Sequence, residues 1–200
     1  MEKSMKPSIF LNDIFTKGAI LGVVMLASNI IETSMMYYGA TLSWVFATSI
    51  EILVVMALYC WLIFRFTKRH AELVVRERSE MPYFTYFNGL NYAIDISMLA
   101  GVVVGLGSYM FRHYVIGFEN YIAGYVKLVQ DIVSQSEVPA SMIGTYEQMF
   151  KSIESQSEPS LISSIFSSVT NYLIAGTLVG LVVAAKTKRE PKIFDEKNEQ

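Results

Sequence analysis

The chain has one cysteine, Cys60, two histidines and little charge. A lone cysteine excludes a disulfide scaffold and a cysteine-rich metal site. Asp, Glu, Lys and Arg supply 17% of the residues, against about 25% in soluble proteins. The formal net charge of −2 leaves no cationic footprint and excludes a nucleic-acid reader. There is no glycine-rich phosphate loop between a strand and a helix either. Apolar residues are abundant instead, at 52% of 200, which excludes a disordered chain. The remaining choice is between an unusually greasy globular core and a membrane protein, and the placement of the charges decides it.

Pro159 to Ala185 is a run of 27 residues without a charge. That exceeds the roughly 20 residues needed to cross a hydrocarbon core about 30 Å thick. Gly18 to Tyr38, Leu42 to Phe64 and Phe87 to Phe111 are similar runs, each interrupted by one acid: Glu32, Glu51 and Asp95. One acid costs about 2.5 to 3.5 kcal/mol on insertion, and many Leu, Ile, Val and Phe at about −0.3 to −0.6 kcal/mol each outweigh it. The sequence therefore predicts an all-α, polytopic membrane protein. Residues 1–200 form a single integral-membrane domain with four transmembrane helices at about 18–38, 42–64, 87–111 and 159–185.

Thirteen of the 16 Lys and Arg fall before the first span, between the second and third, or in the tail 186–200. Only Arg112, Lys127 and Lys151 lie in the segment 112–158, among six acids. Positive-inside bias puts both termini in the cytoplasm, as an even number of spans also requires. A cleaved signal peptide competes for the first span, since Lys3, Lys6 and Lys17 precede an apolar stretch with small Ala27 and Ser28. Apolar character resuming at Met35 to Tyr38, and the lack of an A-x-A site, favour a retained helix.

Gly39 to Thr41 alone join the first two spans, which implies an antiparallel hairpin. A short charged connection ending at Met81 and Pro82 joins the next two. In the segment 112–158, Phe118, Ile122, Val126, Val129 and Val133 recur at helical spacing, so the third helix is expected to run on as an amphipathic helix until Pro139. Met142, Tyr146, Met149 and Ile153 predict a second helix packed on the first, an extracytoplasmic amphipathic hairpin. Ser157 is the expected N-cap of the last span, with Pro159 in its first turn.

Four spans, a basic inner connection, the aromatic and glycine-bearing start of the third helix at Tyr83, Phe84, Phe87 and Gly89, and a long charged amphipathic segment outside resemble a known family. It is the uncharacterised bacterial inner-membrane family catalogued as number 4199 among the domains of unknown function. The resemblance covers roughly residues 14–186. It implies a bacterial cytoplasmic membrane and carries over no catalytic residue.

No catalytic, cofactor or metal constellation is found, so no enzyme and no cofactor is expected. His70 and His113 fall at opposite membrane faces and read, with Cys60, as interface or packing residues. Gly18 and Gly22, Gly101 and Gly105, and Gly176 and Gly180 have small-xxx-small spacing, for contacts within the bundle or across a dimer face. The stripe Tyr114, Phe118, Tyr121 and Tyr125 reads as an interfacial belt, ahead of a ligand or partner surface.

Glu32, Glu51 and Asp95 are the functional candidates, with the amides Asn29, Asn88, Asn91 and Asn171 as neighbours. At about 1.5 Å per residue, Glu32 and Glu51 lie at nearly the same depth, so two carboxylates would share one pocket. Asp95 is a separate site nearer the cytoplasm, expected to be satisfied by Asn88, Asn91 and water. These groups either fix helix register or form a proton or cation path. The sequence thus favours a structural, accessory or assembly protein, with an oligomeric proton- or cation-coupled transporter or channel subunit as the alternative. Its partners would be the lipid bilayer and a homo-oligomer or membrane-protein partner.

Overall fold

Long apolar runs without a helix breaker make long helices, and six α-helices account for most of what the computed structural model describes, residues 7–38, 42–77, 83–135 and 140–189. They are α1 (Pro7–Tyr38), α2 (Leu42–Glu77), α3 (Tyr86–Met110), α4 (Phe118–Gln135), α5 (Ala140–Glu154) and α6 (Leu161–Thr187). Four stretches are long and apolar enough to cross a membrane: Phe10–Ser34, Phe46–Arg76, Tyr86–Ile116 and Leu161–Thr187. By length and composition they suit a multi-pass membrane protein.

α3 is the centre of the bundle, because small residues let two other helices approach its backbone. A Cβ on Gly101 would lie 2.8 Å from Val169 Cα, and one on Gly105 would lie 2.7 Å from Ile165 Cα. Gly180 abuts Ala93 and Gly176 abuts Ser97, so α6 runs antiparallel to α3. On the other side Gly18 abuts Leu99 and Gly22 abuts Val103, so α1 runs parallel to it. All six glycines of the three spaced pairs thus sit in helix contacts inside the bundle. In lipid, such close approach replaces the hydrophobic drive that associates helices in water.

α2 is different in its two halves. From Tyr59 to Val74 it buries a stripe including Ile63, Phe66, Thr67 and His70. From Phe46 to Leu58 its apolar side chains are mostly exposed, with Phe46, Ile50, Leu53 and Val54 each at least 60% open. An all-round apolar surface of this kind suits hydrocarbon and would be costly in water.

The structure corrects several expectations. The second helix does not stop at Phe64: Arg65 to Glu77 is helical, because Phe66, Thr67, His70, Ala71 and Val74 form a stripe that packs on the bundle. The third helix does not run on unbroken. A π-helical turn, Phe111–Ile116, follows α3, and Gly117 at φ 84° then redirects the chain into α4. Glycine adopts that positive φ at no steric cost. The last helix is capped by Ser160 rather than Ser157, its hydroxyl accepting from the Ser163 backbone N at 3.2 Å. Pro159 disfavours helical backbone at Glu158, which would be the first helical residue after a cap at Ser157. The first helix starts at Pro7, so Asp13 lies within an apolar window.

α4 and α5 are in contact, and α4 also touches α1. On α4, Val126 and Leu128 are buried, whereas Met149 on α5 is 37% exposed. The expected turns at Gly39 to Thr41 and Glu137 to Pro139, the connection's end at Met81 and Pro82, and the Met142 side chain lie outside what is described.

Candidate functional site

Two polar clusters lie inside the bundle, one toward each end. The first gathers α1, α2 and α3 on a single carboxylate oxygen. Asp13 Oδ2 lies 2.9 Å from His70 Nδ1 and accepts a hydrogen bond from the Tyr92 hydroxyl at 2.8 Å. A carboxylate only accepts, so Nδ1 carries a proton in this arrangement. The His70 ring stacks on Tyr92 with centroids 4.0 Å apart, and the rings of Phe10 and Phe84 sit at 5.3 and 6.0 Å. Phe84 is fixed in turn by a pair of backbone hydrogen bonds to Arg189. With His70 only 3% exposed, its imidazole is walled by rings and presents no open face to a substrate. The cluster locks three helices together.

The second cluster begins on α1. Ser28 Oγ donates to Glu51 Oε1 on α2, while Glu51 Oε2 is buried with no hydrogen-bond partner among the described residues. Glu32 follows Ser28 by one turn, lines the same cavity, and is close enough to Glu51 for the two charges to interact. The spacing predicts one pocket for both acids; Glu32 lines the cavity, whereas Glu51 is held by Ser28 beside it. Asn29 Oδ1 accepts from Ser108 Oγ at 2.6 Å, joining α1 to α3. Above this bond lies a cavity of about 440 Å³ reaching Arg112, Ser164 and Asn171. Arg112 donates through Nε to the Ser108 carbonyl at 3.3 Å and lies over the Tyr121 ring. Ser164 Oγ is buried without a partner among the described residues.

Below the cavity, Tyr59 donates to Ser97 Oγ at 2.9 Å, and Ser97 donates to the Ala93 carbonyl. Ser97 and Tyr92 are about 7.5 Å of helix rise apart. Between these levels α3 buries Ala93 and Ile96, and α2 adds Leu62, Ile63 and Phe66 to the same apolar core. A layer that is apolar apart from the buried Thr67 hydroxyl therefore separates the two polar clusters.

The other sequence candidates lie apart. Asn88 and Asn91 are exposed, and the Asn88 backbone N is bound by the capping hydroxyl of Thr85. Asp95 is half-buried and has no hydrogen bond to either amide among the described residues. Asn171 lines the second polar region with Glu32. His113 lies 2.6 Å from Glu158 Oε1 and stacks on Tyr109. Cys60 is exposed. No group of three or more His, Cys, Asp or Glu among the described residues could hold a metal ion.

Sequence reasoning missed Asp13, Tyr59, Tyr92 and Ser108; it placed Ser97 only on the small-residue ridge of Gly101 and Gly105, and Arg112 only among the charges of the segment 112–158. Asp13 preceded the first span as drawn from Gly18, and Ile14, Gly18, Leu21 and Met25 at helical spacing were the signal that the helix began earlier. Tyr92 and the serines carry no mark of their own, since short hydroxyls in an apolar helix also serve plain packing.

Among known proteins, the family model described as Protein of unknown function (DUF4199) matches residues 16–189. No curated protein and no solved structure matches the chain.

Proposed function

Since the chain belongs to DUF4199, a family without a known activity, we propose from its geometry that it is a structural, accessory or assembly protein. It sits in the bacterial cytoplasmic membrane with both termini inside, and it is not an enzyme. One observation carries this: the buried apolar layer of Leu62, Ile63, Ala93 and Ile96 between the two polar clusters. A channel needs a continuous polar path, and here the path stops at Tyr59 and Ser97. The caged ring of His70 also supports a holding role over a catalytic one. The amphipathic helices α4 and α5, on the face away from the termini, are the region to meet a partner, another membrane protein or a second copy.

The second reading is an oligomeric proton- or cation-coupled transporter using Glu32, Glu51 and Asp95. The unpartnered Glu51 Oε2 favours it, because a buried carboxylate oxygen is a ready ligand. Flux in reconstituted vesicles separates the two. No proton or cation flux is expected from the wild-type protein, and flux that disappears in Glu32→Gln and Glu51→Gln would replace the accessory reading. For the topology, a cytoplasm-dependent reporter is expected to be active after Gln200 and silent near Gln135. Activity near Gln135 would overturn the orientation.

A further inference from the structure

Two cavities of opposite character meet in the bundle. The one of about 440 Å³ is lined by hydroxyls, amides and Arg112. The other, of about 300 Å³, is walled by Met25, Ile52, Val55 and Met56. Asn29, Glu32, Asn171 and Tyr172 line both, so the pair forms one slot with a polar upper part and an apolar lower part. The slot lies beside the half of α2 whose apolar residues are exposed, where hydrocarbon reaches it sideways.

Its length matches a lipid. Gly176, next to Ala175 at the apolar floor, abuts Ser97, and Ser97 lies 15 residues before Arg112. That is about 22 Å of helix rise, or half of a bilayer about 40 to 45 Å thick with its headgroups. Arg112 has no ion-pair partner among the described residues, and it keeps donors free after bonding the Ser108 carbonyl. It is therefore suited to an anionic head at the interface. The Ser164 hydroxyl, 8% exposed and unpartnered, awaits a further polar atom there. At the junction, Glu32 and the amides suit a hydroxyl between head and chain. A soluble anion would leave the apolar half unused, and an ion path has no need of it.

We propose that this slot binds a single-chain glycerophospholipid. Its phosphate sits at Arg112, its glycerol hydroxyl at Glu32 and Asn29, and its acyl chain against Val55 and Met56. Only membrane insertion is carried over from the function proposed above. Failure of the protein to fractionate with membranes would remove that premise, whereas binding in detergent bears on the slot alone.

Native mass spectrometry of the full-length, delipidated protein tests it, with lysophosphatidic acid as probe and its two halves, glycerol 3-phosphate and monoacylglycerol, as comparisons. One lysophosphatidic acid per chain is expected, held at least about tenfold more tightly than either half, since only the whole probe uses both cavities. Arg112→Gln is expected to weaken it by about tenfold or more, as loss of a charge-assisted hydrogen bond does. Val55→Trp fills the apolar half and is expected to abolish binding, and Val55→Phe, which adds less bulk, to weaken it. Arg65→Gln, at the other end and stacked on Trp61, is expected to change nothing. Equal binding of the halves and the whole overturns the site in the wild-type protein alone. Unchanged binding in Arg112→Gln, or an equal loss in Arg65→Gln, overturns it too, the latter showing lipid held by charge anywhere on the belt.

Discussion

Gly105→Ala adds one methyl group where α3 meets α6. The new Cβ would lie 2.7 Å from Ile165 Cα and 3.0 Å from the Ser164 carbonyl oxygen. Carbon atoms rest at about 3.5 to 4.0 Å, so the helices must part by about 1 Å at this point. Overpacking of this kind costs about 1 to 3 kcal/mol, and the better helix propensity of alanine returns up to about 1 kcal/mol. Because the nearest atoms are backbone, which yields least, the cost falls in the upper part of that range and the net expectation is a loss of about 1 to 2 kcal/mol. Gly101→Ala repeats the clash against Val169, one turn away. The double variant is expected to lose less than the sum, because helices already parted accommodate the second methyl. Gly144→Ala on α5 is the control, with nothing within 4 Å of its Cβ. It should be neutral or stabilising by up to about 1 kcal/mol. Unfolding of the full chain in mixed detergent micelles, followed by far-ultraviolet circular dichroism, measures all four. Gly105→Ala as stable as the wild type would refute the α3–α6 contact, and a loss in Gly144→Ala equal to that in Gly105→Ala would show that glycine is needed for some reason other than space.

Tyr92→Phe removes one of the two donors to Asp13 Oδ2 and is expected to cost about 1 kcal/mol in the same assay. A double-mutant cycle with Asp13→Asn should show coupling of about 0.5 kcal/mol or more, and simple additivity would mean that the hydrogen bond does not hold the helices. Glu51→Gln keeps an acceptor for Ser28 and is expected to stay within about 0.5 kcal/mol of the wild type, whereas Glu51→Lys should lose about 2.5 kcal/mol or more. A large loss from Glu51→Gln alone would mean that the carboxylate holds a cation, and would raise the transport reading. In a Cys60→Ser background, thiols placed at Val126 and Leu128 should react with a water-soluble reagent several-fold more slowly than one at Gln130. Equal rates would show that these two buried positions on α4 are open to water.

The four apolar helices were legible because hydropathy needs no knowledge of neighbours. The glycine contacts were legible for the same reason, since small residues four apart mark a face whatever packs on it. The shared depth of Glu32 and Glu51 followed from rise per residue, because a hairpin of two spans fixes one helix against the other. The failures arose where a partner decided the outcome. Arg65 to Glu77 is too charged to read as a span, and it stays helical because His70, Ala71 and Val74 find the bundle. The break at Gly117 was hidden because the amphipathic stripe continues across it, and periodicity does not report a change of helix direction.

The register between α1 and α3 was the part no single sequence discloses, and it organises both polar clusters. Asp13 meets Tyr92 and Asn29 meets Ser108, each at a separation of 79 residues. An unchanged offset at two points 16 residues apart means that the two helices keep in step over about 24 Å. Between those points Gly18 and Gly22 hold the backbones close, so neither helix can slide without breaking contacts at both ends. The polar bonds then act as stops at the two ends of an apolar rail, each confined to its own end by the layer around Ile63 and Ile96. This explains why acids and amides at membrane depth are compatible with a holding role: a slip of one turn in one direction would set Asp13 against Ile96, a slip in the other would set Asn29 against Val104, and an unpaired polar group on apolar surface costs several kcal/mol.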